Sequence, residues 1–448
     1  MRGLKATLNL YGEVKDETKS TFASEALRRV YNDITPGDRR LAATLLYCVL
    51  RRETLWKTVL QKYCKRNLTS LEPVTRNALM IGVAGIFELK HFALPVLING
   101  LVAAVKNAGR ADDAPLVNAV LHTVAEEGNK LLRVLQKSSE LSDLALFYGV
   151  PGWAAATWAR ELTLPVAKRL VANMGMRKYL SLRLAPHVNR DEYLKEFNSE
   201  DDRLAWASPD VACSVRTASN PFPLDLPGFS RGDIMPQSES SMLVPIALAE
   251  KLKNQGGITI LDMCCGRGVK TAQLAMLLPN AGIIGWDLSE GKIRSAETEI
   301  ARLHVKERIT LQCGNSLLLK MTDRPDAILL DVPCSGSGTW GRHPDSKWRL
   351  EPKDVLGNSI LQRKLLTRAF NLVKPGGFVL YSTCSLFRAE NEEVVADCIG
   401  KSEEVVELPL RLKEKFALPA KPYGTAIFPD LPWVDGFYMA LFCKKLSR

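Results

Sequence analysis

Apolar residues along the first third of the chain recur at helical spacing. Leu41, Leu45, Leu46, Val49 and Leu50 fall on one helix face. Glu72-Pro73 opens a further helix over 74–89, with the proline tolerated in the first turn, and Pro95 and Pro115 mark similar starts. Residues 20 to about 138 therefore read as short helices on short loops, which pack as a bundle. Two more helical stretches, 141–147 and 153–173, lead into a mixed pattern. There Leu180-Ser181-Leu182-Arg183-Leu184 alternates as a strand, and Asp191-Glu192-Tyr193-Leu194 suggests a short helix. The stretch from Asn220 to Gly232 is rich in Pro and Gly and reads as a connection.

From about residue 236 the period changes. Strands are expected at 258–263, 282–287, 309–313, 326–331 and 377–383, and helices at 270–278, 290–303, 354–373 and 389–399. Such alternation implies a parallel, doubly wound sheet. At the end, 404–408 and 436–443 suggest two consecutive strands forming an antiparallel edge. The expected domains are thus a helical bundle over 1–138, a small α/β subdomain over 139–235 and an α/β domain over 236–448.

Composition narrows the possibilities. At 448 residues, with 46% hydrophobic and 24% charged positions, the chain is soluble, globular and too long for one ordinary domain. No apolar run approaches the ~20 residues that span a bilayer, and no signal-peptide core follows Met1, so a cytoplasmic protein is expected. Ten cysteines with no C-x-x-C pair and five scattered histidines suggest neither a zinc site nor a disulfide framework, and no metal is expected. The net charge of +11 suits a polyanionic partner. The first 140 residues hold 21 basic against 14 acidic side chains, with Arg28-Arg29, Arg39-Arg40, Arg51-Arg52, Lys62, Lys65 and Arg66 on helical segments. That pattern fits RNA and fits a solvated helix face equally well.

The chemistry gathers at strand ends. The first strand of the α/β domain runs into Asp262-Met263-Cys264-Cys265-Gly266-Arg267-Gly268-Val269-Lys270, where small residues let the backbone turn and approach a ligand. Asp262 reads as a cap or a buried hydrogen-bond partner. Asp287 ends the second strand, where a carboxylate can accept both ribose hydroxyls, and Asn315 after the third strand can meet an adenine. These features point to a nucleoside cofactor, NAD or S-adenosylmethionine alike. Two thiols follow apolar strands: Cys334 in Asp331-Val332-Pro333-Cys334-Ser335-Gly336, and Cys384 in Tyr381-Ser382-Thr383-Cys384-Ser385. Two thiols and an acid at the ligand edge of a sheet suggest covalent catalysis. The loop that follows, from Thr339 to Arg349, carries Arg342, His343, Lys347 and Trp348, a mixture of cations and aromatic faces that fits RNA.

Three motifs, LDMCCGRGVKT at 261–271, DVPCSGSGTWGRHPDSKW at 331–348 and GGFVLYSTCS at 376–385, resemble those of the RsmB (Sun, Fmu) family of RNA cytosine-C5 methyltransferases, within the broader Nol1/Nop2/Sun group. Asn391-Glu392-Glu393-Val394-Val395 follows in the family's manner. The segments Asp38-Arg39-Arg40-Leu41-Ala42, Ala78-Leu79-Met80-Ile81-Gly82 and Leu116-Val117-Asn118-Ala119-Val120-Leu121 resemble a NusB-like RNA-binding domain.

The resemblance implies an all-α NusB-like bundle, a small α/β linker subdomain and a Rossmann-like class I methyltransferase domain. It also implies S-adenosylmethionine as cofactor and small-subunit ribosomal RNA as partner; separately, a monomer is expected. By position, Cys384 matches the nucleophile, Asp331 the acid that hydrogen-bonds the base, and Cys334 the cysteine that assists proton removal or product release. Cys264, Cys265, Gly266, Arg267, Gly268, Val269, Lys270, Asp287, Asn315 and Asp331 match the cofactor contacts. The chain departs from the family where Arg267 stands for proline, Val269 for glycine and Asn315 for aspartate. It departs again where Gln237-Ser238-Glu239-Ser240-Ser241 replaces Gln-Asp-x-Ser-Ser. Two other readings stay open: the same chemistry on transfer RNA or another ribosomal site, and an assembly factor whose methyltransferase domain has weak or lost activity.

Overall fold

A computed structural model of the chain describes residues 2–16, 18–19, 21–199, 204–410, 412, 417–419 and 422–446. They form two compact units, Met1–Met176 with Trp340–Leu350, and Arg177–Thr339 with Glu351–Arg448. The first unit is helical: α1 (Arg2–Lys15), α2 (Ala23–Arg29), α3 (Pro36–Arg51), α4 (Glu53–Tyr63), α5 (Pro73–Glu88), α6 (Leu94–Asn107), α7 (Ala114–Lys137), α8 (Leu141–Tyr148), α9 (Gly152–Glu161) and α10 (Leu164–Met174). The helical stretch expected over 153–173 is two helices, because Pro165 favours a fresh first turn and disfavours helix before it. Gly149 ends α8 with φ +68°, and a Cβ there would lie 2.2 Å from the Arg51 carbonyl oxygen, so only glycine lets this turn rest against the end of α3. The boundary expected at 138 falls elsewhere, since α8, α9 and α10 belong to this unit.

The segment 340–350 is part of this helical unit. Trp340 is wholly buried, its ring 5.8 Å from that of Trp158 and 6.4 Å from that of Trp153. The rest of the segment satisfies helix ends, whose backbone groups have no partners within the helix. The Asp345 carboxylate accepts from Ala23 N at the start of α2 (2.9 Å). Lys347 Nζ donates to the Arg51 carbonyl (2.8 Å) and Trp348 Nε1 to the Leu50 carbonyl (2.6 Å), both at the end of α3. Arg349 donates to the carbonyls of Val14 (3.1 Å) and Thr21 (2.5 Å).

This corrects the RNA-contact reading of Lys347 and Trp348. Lys347 is fully buried, and burial together with the charges of Arg51 and Arg52 pushes its ammonium well below the ordinary lysine range. Lys347 Nζ and Trp348 Nε1 both point to the end of α3. Arg342 is half-buried, and His343 lies on the surface of the same unit. The basic pairs divide likewise. Arg39 is buried on Tyr31 and Arg52 pairs with Glu88, whereas Arg28, Arg40, Lys62 and Lys65 are exposed.

The second unit opens on a four-stranded antiparallel sheet of β1 (Ser181–Leu184), β2 (Ala205–Ala207), β3 (Ser214–Thr217) and β4 (Ile234–Pro236), in the order β2-β3-β1-β4. Tyr193 and Phe197 of α11 (Arg190–Phe197) cover it. The helix α12 (Glu239–Leu252) follows. A larger sheet then combines β5 (Thr259–Asp262), β6 (Gly282–Asp287), β7 (Ile309–Cys313), β8 (Ala327–Asp331) and β9 (Phe378–Thr383), all parallel. To these it adds β10 (Val405–Leu408), β11 (Ala417–Pro419), β12 (Thr425–Ile427) and β13 (Phe437–Lys444). The order is β11-β12-β13-β9-β8-β5-β6-β7, with β10 also on β13. The two strands expected as a consecutive antiparallel edge do pair, but β11 and β12 intervene, and β13 also lies against β9 from Tyr438↔Thr383 to Cys443↔Phe378. Three-residue strands are too short to show a period, which is why they escaped the sequence pattern.

Alternate strand residues feed two cores. Ile260, Leu329, Leu380 and Leu441 meet α12, α13 (Val269–Leu277) and α14 (Glu290–Arg302). Leu261, Ile328, Leu330, Val379, Tyr381 and Phe442 meet α15 (Pro352–Leu372) and α16 (Glu392–Gly400). The chain winds outward one way from β5 through β6 and β7, and the other way from β8 through β9, so the switch point lies between β5 and β8. No helix among the described residues is long and apolar enough to cross a membrane.

If Trp340 is a core side chain of the helical unit, Trp340→Ala should destabilise that unit by about 3–5 kcal/mol. Urea unfolding of the full chain followed by far-ultraviolet circular dichroism checks this, and a change within about 0.5 kcal/mol, the scale of surface substitutions, would contradict it.

Candidate active site

The parallel register of β8 and β9 sets Asp331 beside Ser382 at the carboxyl edge of the sheet. Both chains then turn into loops, and the two sulfurs meet: Cys334 Sγ lies 3.4 Å from Cys384 Sγ. Asp331 Oδ1 accepts from Ser382 Oγ (2.7 Å) and Oδ2 from Lys270 Nζ (2.6 Å), which arrives from the first turn of α13. The Cys384 carbonyl accepts from Gly338 N, whose own carbonyl accepts from Gly436 N, both at 2.9 Å. A Cβ on Gly338 would stand 2.0 Å from the Gly436 carbonyl oxygen, so the Ser-Gly-Ser-Gly run is what lets these strand ends close together.

The two thiols are not equivalent. Cys334 is held well above the ordinary thiol range, chiefly by its hydrogen bond to Cys384, then by burial and by the negative charge of Cys384 and Glu390. The Cys334 thiol thus holds its proton firmly, 3.4 Å from the Cys384 sulfur. Burial works against the Lys270 ammonium, but Asp331 and the charge of Cys384 outweigh it and hold the ammonium above its usual range. A fixed cation thus pairs with the acid at this edge.

On the cofactor side, the loop between β5 and α13 is shaped by Gly266 (φ +56°) and Gly268 (φ +75°). A Cβ on Gly268 would crowd Ala296 of α14 at 3.0 Å, whereas the space above Gly266 is open. Asp287 holds the loop: its Oδ2 accepts from Gly266 N and its Oδ1 from Ser289 N, both at 2.9 Å. Lys292 Nζ lies 3.8 Å from Oδ1, and each carboxylate oxygen keeps a further lone pair with which to accept from a ribose diol. Asn315 is exposed, and its Oδ1 accepts from Leu317 N (3.0 Å). Open backbone at Gly266, a carboxylate at the end of β6 and an amide after β7 together fit a nucleoside cofactor.

Burial, helped by the nearby Asp262 and Asp287 carboxylates, pushes the Cys264 and Cys265 thiols well up. Arg267 is exposed, and the Val269 carbonyl accepts from the buried Arg183. Asp262 is the buried partner expected: Thr271 Oγ1 donates to its Oδ2 (2.7 Å), and burial raises its carboxyl to about 7.

The fold brings the loop 264–270, Asp287, Asn315, Asp331, Cys334 and Cys384 to one edge of the sheet; Lys347 and Trp348 belong to the helical unit. Sequence reasoning missed Ser382, Glu390 and Asn391, which hold the site residues in place. Their signal is positional only, as polar residues next to a thiol or just before a helix. The altered Gln237–Ser241 stretch is structural. Ser238 caps α12, and Glu239, 1% exposed, pairs with Arg216 of β3 (2.6 Å), while Ser240 Oγ accepts from Asp435 N (3.0 Å). No group of three or more potential metal ligands occurs among the described residues.

Comparison with known proteins agrees with this layout. Residues 249–443 match the family model described as 16S rRNA methyltransferase RsmB/F, and residues 5–126 match that of the NusB family. A protein of Klebsiella pneumoniae named ribosomal RNA small subunit methyltransferase B is 27% identical over 444 residues, 95% of each chain. A Synechocystis protein named probable ribosomal RNA small subunit methyltransferase B is 29% identical over 87% of this chain and 86% of its own. Among solved structures, the protein PH0851 shares the fold with a TM-score of 0.80 over 99% of this chain and 98% of its own, at 23% identity. A methyltransferase homologue from Pyrococcus horikoshii is 28% identical, with a TM-score of 0.58 over 69% of this chain and 100% of its own.

The raised Asp262 carboxyl has a consequence for stability. The native state keeps a proton at about pH 7 that the unfolded chain has lost near its ordinary value of 3.8. Between these values stability falls as pH rises, by at most about 1.4 kcal/mol per pH unit, and it is level above them. The unfolding free energy of wild type relative to Asp262→Asn should therefore decline from about pH 4 to about pH 7. A difference that does not change with pH would show that Asp262 is ionised throughout.

Proposed function

We propose that this chain, matched by the RsmB/F methyltransferase model over 249–443 and by the NusB model over 5–126, methylates C5 of a cytosine in small-subunit ribosomal RNA through a covalent adduct on Cys384. The observation that carries this reading is the pair of sulfurs 3.4 Å apart beside Asp331 and Lys270. C5 of a pyrimidine is a poor nucleophile until a group adds at C6. The Cys384 thiolate forms a bond to C6 and opens the C5–C6 double bond, and Asp331 hydrogen-bonds N3 or the exocyclic amine as charge develops on the ring. Lys270 keeps Asp331 in place and offsets negative charge at this edge.

The backbone of 264–270, Asp287 and Asn315 would hold S-adenosylmethionine, which when bound would supply an electrophilic methyl group on a sulfonium for C5 to take. In the elimination a base takes the C5 proton, the C5–H electron pair re-forms the C5–C6 double bond, and the C6–S bond breaks to return the Cys384 thiolate. Cys334, 3.4 Å from Cys384 Sγ, is the group at hand to act as that base once it has given up its own proton. The target base reaches the crevice unpaired or flipped out of its helix. The exposed cations Arg28, Arg40, Lys62 and Lys65 of the NusB domain give RNA a positive surface. We expect the enzyme to act as a monomer in the cytoplasm, where that RNA is made.

Cys384→Ser should abolish both methyl transfer and the adduct. Cys334→Ser should still attack but release poorly, so that a protein–RNA crosslink surviving denaturation accumulates; its appearance with Cys384→Ser instead would reverse the two roles. Bisulfite sequencing of total RNA from cells with and without the gene identifies the product. If no cytosine changes status, the methyltransferase reading fails.

A further inference from the structure

Two adjacent residues outside the reacting set hold the loops that carry the sulfurs. Glu390 is fully buried just before α16. Its Oε1 accepts from Ser335 N (2.8 Å) and Asn358 Nδ2 (3.0 Å), its Oε2 from Ser335 Oγ (2.5 Å), and its backbone carbonyl from Tyr381 of β9 (2.6 Å). Ser335 is the residue after Cys334. Asn391 grips the other loop on both sides of Cys384, accepting from Thr383 Oγ1 on Oδ1 (2.5 Å) and donating from Nδ2 to the Ser385 carbonyl (3.0 Å). The hydroxyls of Ser335 and Ser385 complete the link between the loops at 3.2 Å. A buried acid facing only neutral donors adds little to stability by itself, and a network this complete serves to fix geometry.

We propose that Glu390 and Asn391 are positioning residues that set the two sulfurs against each other, Glu390 acting through Cys334 and Asn391 through Cys384. The inference rests on the covalent mechanism above, and it divides the pair by reaction stage. Loosening Ser335 misplaces the thiol needed for release, whereas loosening Thr383 and Ser385 misplaces the attacking sulfur.

The test uses the full-length protein, S-adenosylmethionine and unmodified small-subunit ribosomal RNA. Folding is checked by circular dichroism, and adduct is scored by denaturing gel. Glu390→Gln keeps the shape but loses an acceptor for Ser335 Oγ. It should lower turnover about 10- to 100-fold and accumulate the denaturation-resistant crosslink as Cys334→Ser does. Ser335→Ala, which removes only the hydroxyl, should do the same to a lesser degree and guards against misfolding of the Glu390 variant. Asn391→Ala should slow formation of the adduct itself by a similar factor, with no accumulation. A merely structural role would lower all rates together and leave the crosslink level unchanged. If Cys334→Ser accumulates adduct while Glu390→Gln and Ser335→Ala turn over like wild type, the positioning role is overturned and the mechanism stands. If neither cysteine variant nor wild type yields adduct or methylated RNA, the mechanism itself falls, and this inference with it.

Discussion

The register between two buried parallel strands governs everything at the active edge. With Leu330 opposite Tyr381 and Asp331 opposite Ser382, both loops leave the sheet at the same level, and the thiols meet a few residues later. That register is enforced from below. Ile328, Leu330, Val379 and Tyr381 face one helical layer while Leu329 and Leu380 face the other. A slip of one residue would turn every one of these side chains to the wrong core. The chemistry is therefore fixed by aliphatic packing several ångströms away from any reacting atom. Lys270, Glu390 and Asn391 refine a geometry that the sheet has already imposed.

The same reasoning explains how the altered cofactor loop can keep its shape. Gly266 and Gly268 supply the positive φ values, and Asp287 ties the turn through backbone N–H groups. Neither device uses the side chains of Arg267 or Val269. Arg267 is exposed, and the contact made to Val269 by Arg183 is to its carbonyl. Substitution at these two positions changes what faces the crevice and leaves the turn intact.

Where the sequence was legible, a long apolar run or a strand-end motif fixed the reading. The parallel strands, the loop after β5, Asp262 as a buried partner and the two thiols all came from such signals. The rest failed for physical reasons. Trp340, Asp345, Lys347 and Trp348 have the composition of an RNA-binding loop, yet the same donors and aromatic faces serve equally well to cap helices and fill a core. Composition reports what a side chain can bind and leaves open whether its partner is a phosphate or a helix end. Glu390 was invisible because a lone acid before a helix normally reads as a cap, and only its burial shows otherwise.

The threading of 340–350 into the helical unit bears on how the protein is made. Domains commonly fold in order as the chain emerges from the ribosome, the N-terminal one first. Here the N-terminal unit is interrupted. The end of α3 lacks its caps, and the rings of Trp153 and Trp158 lack their neighbour, until residues 340–350 have been synthesised. By then the strands from β5 to β8 are already out. The helical unit can therefore complete these contacts only late in synthesis, although most of its sequence comes first.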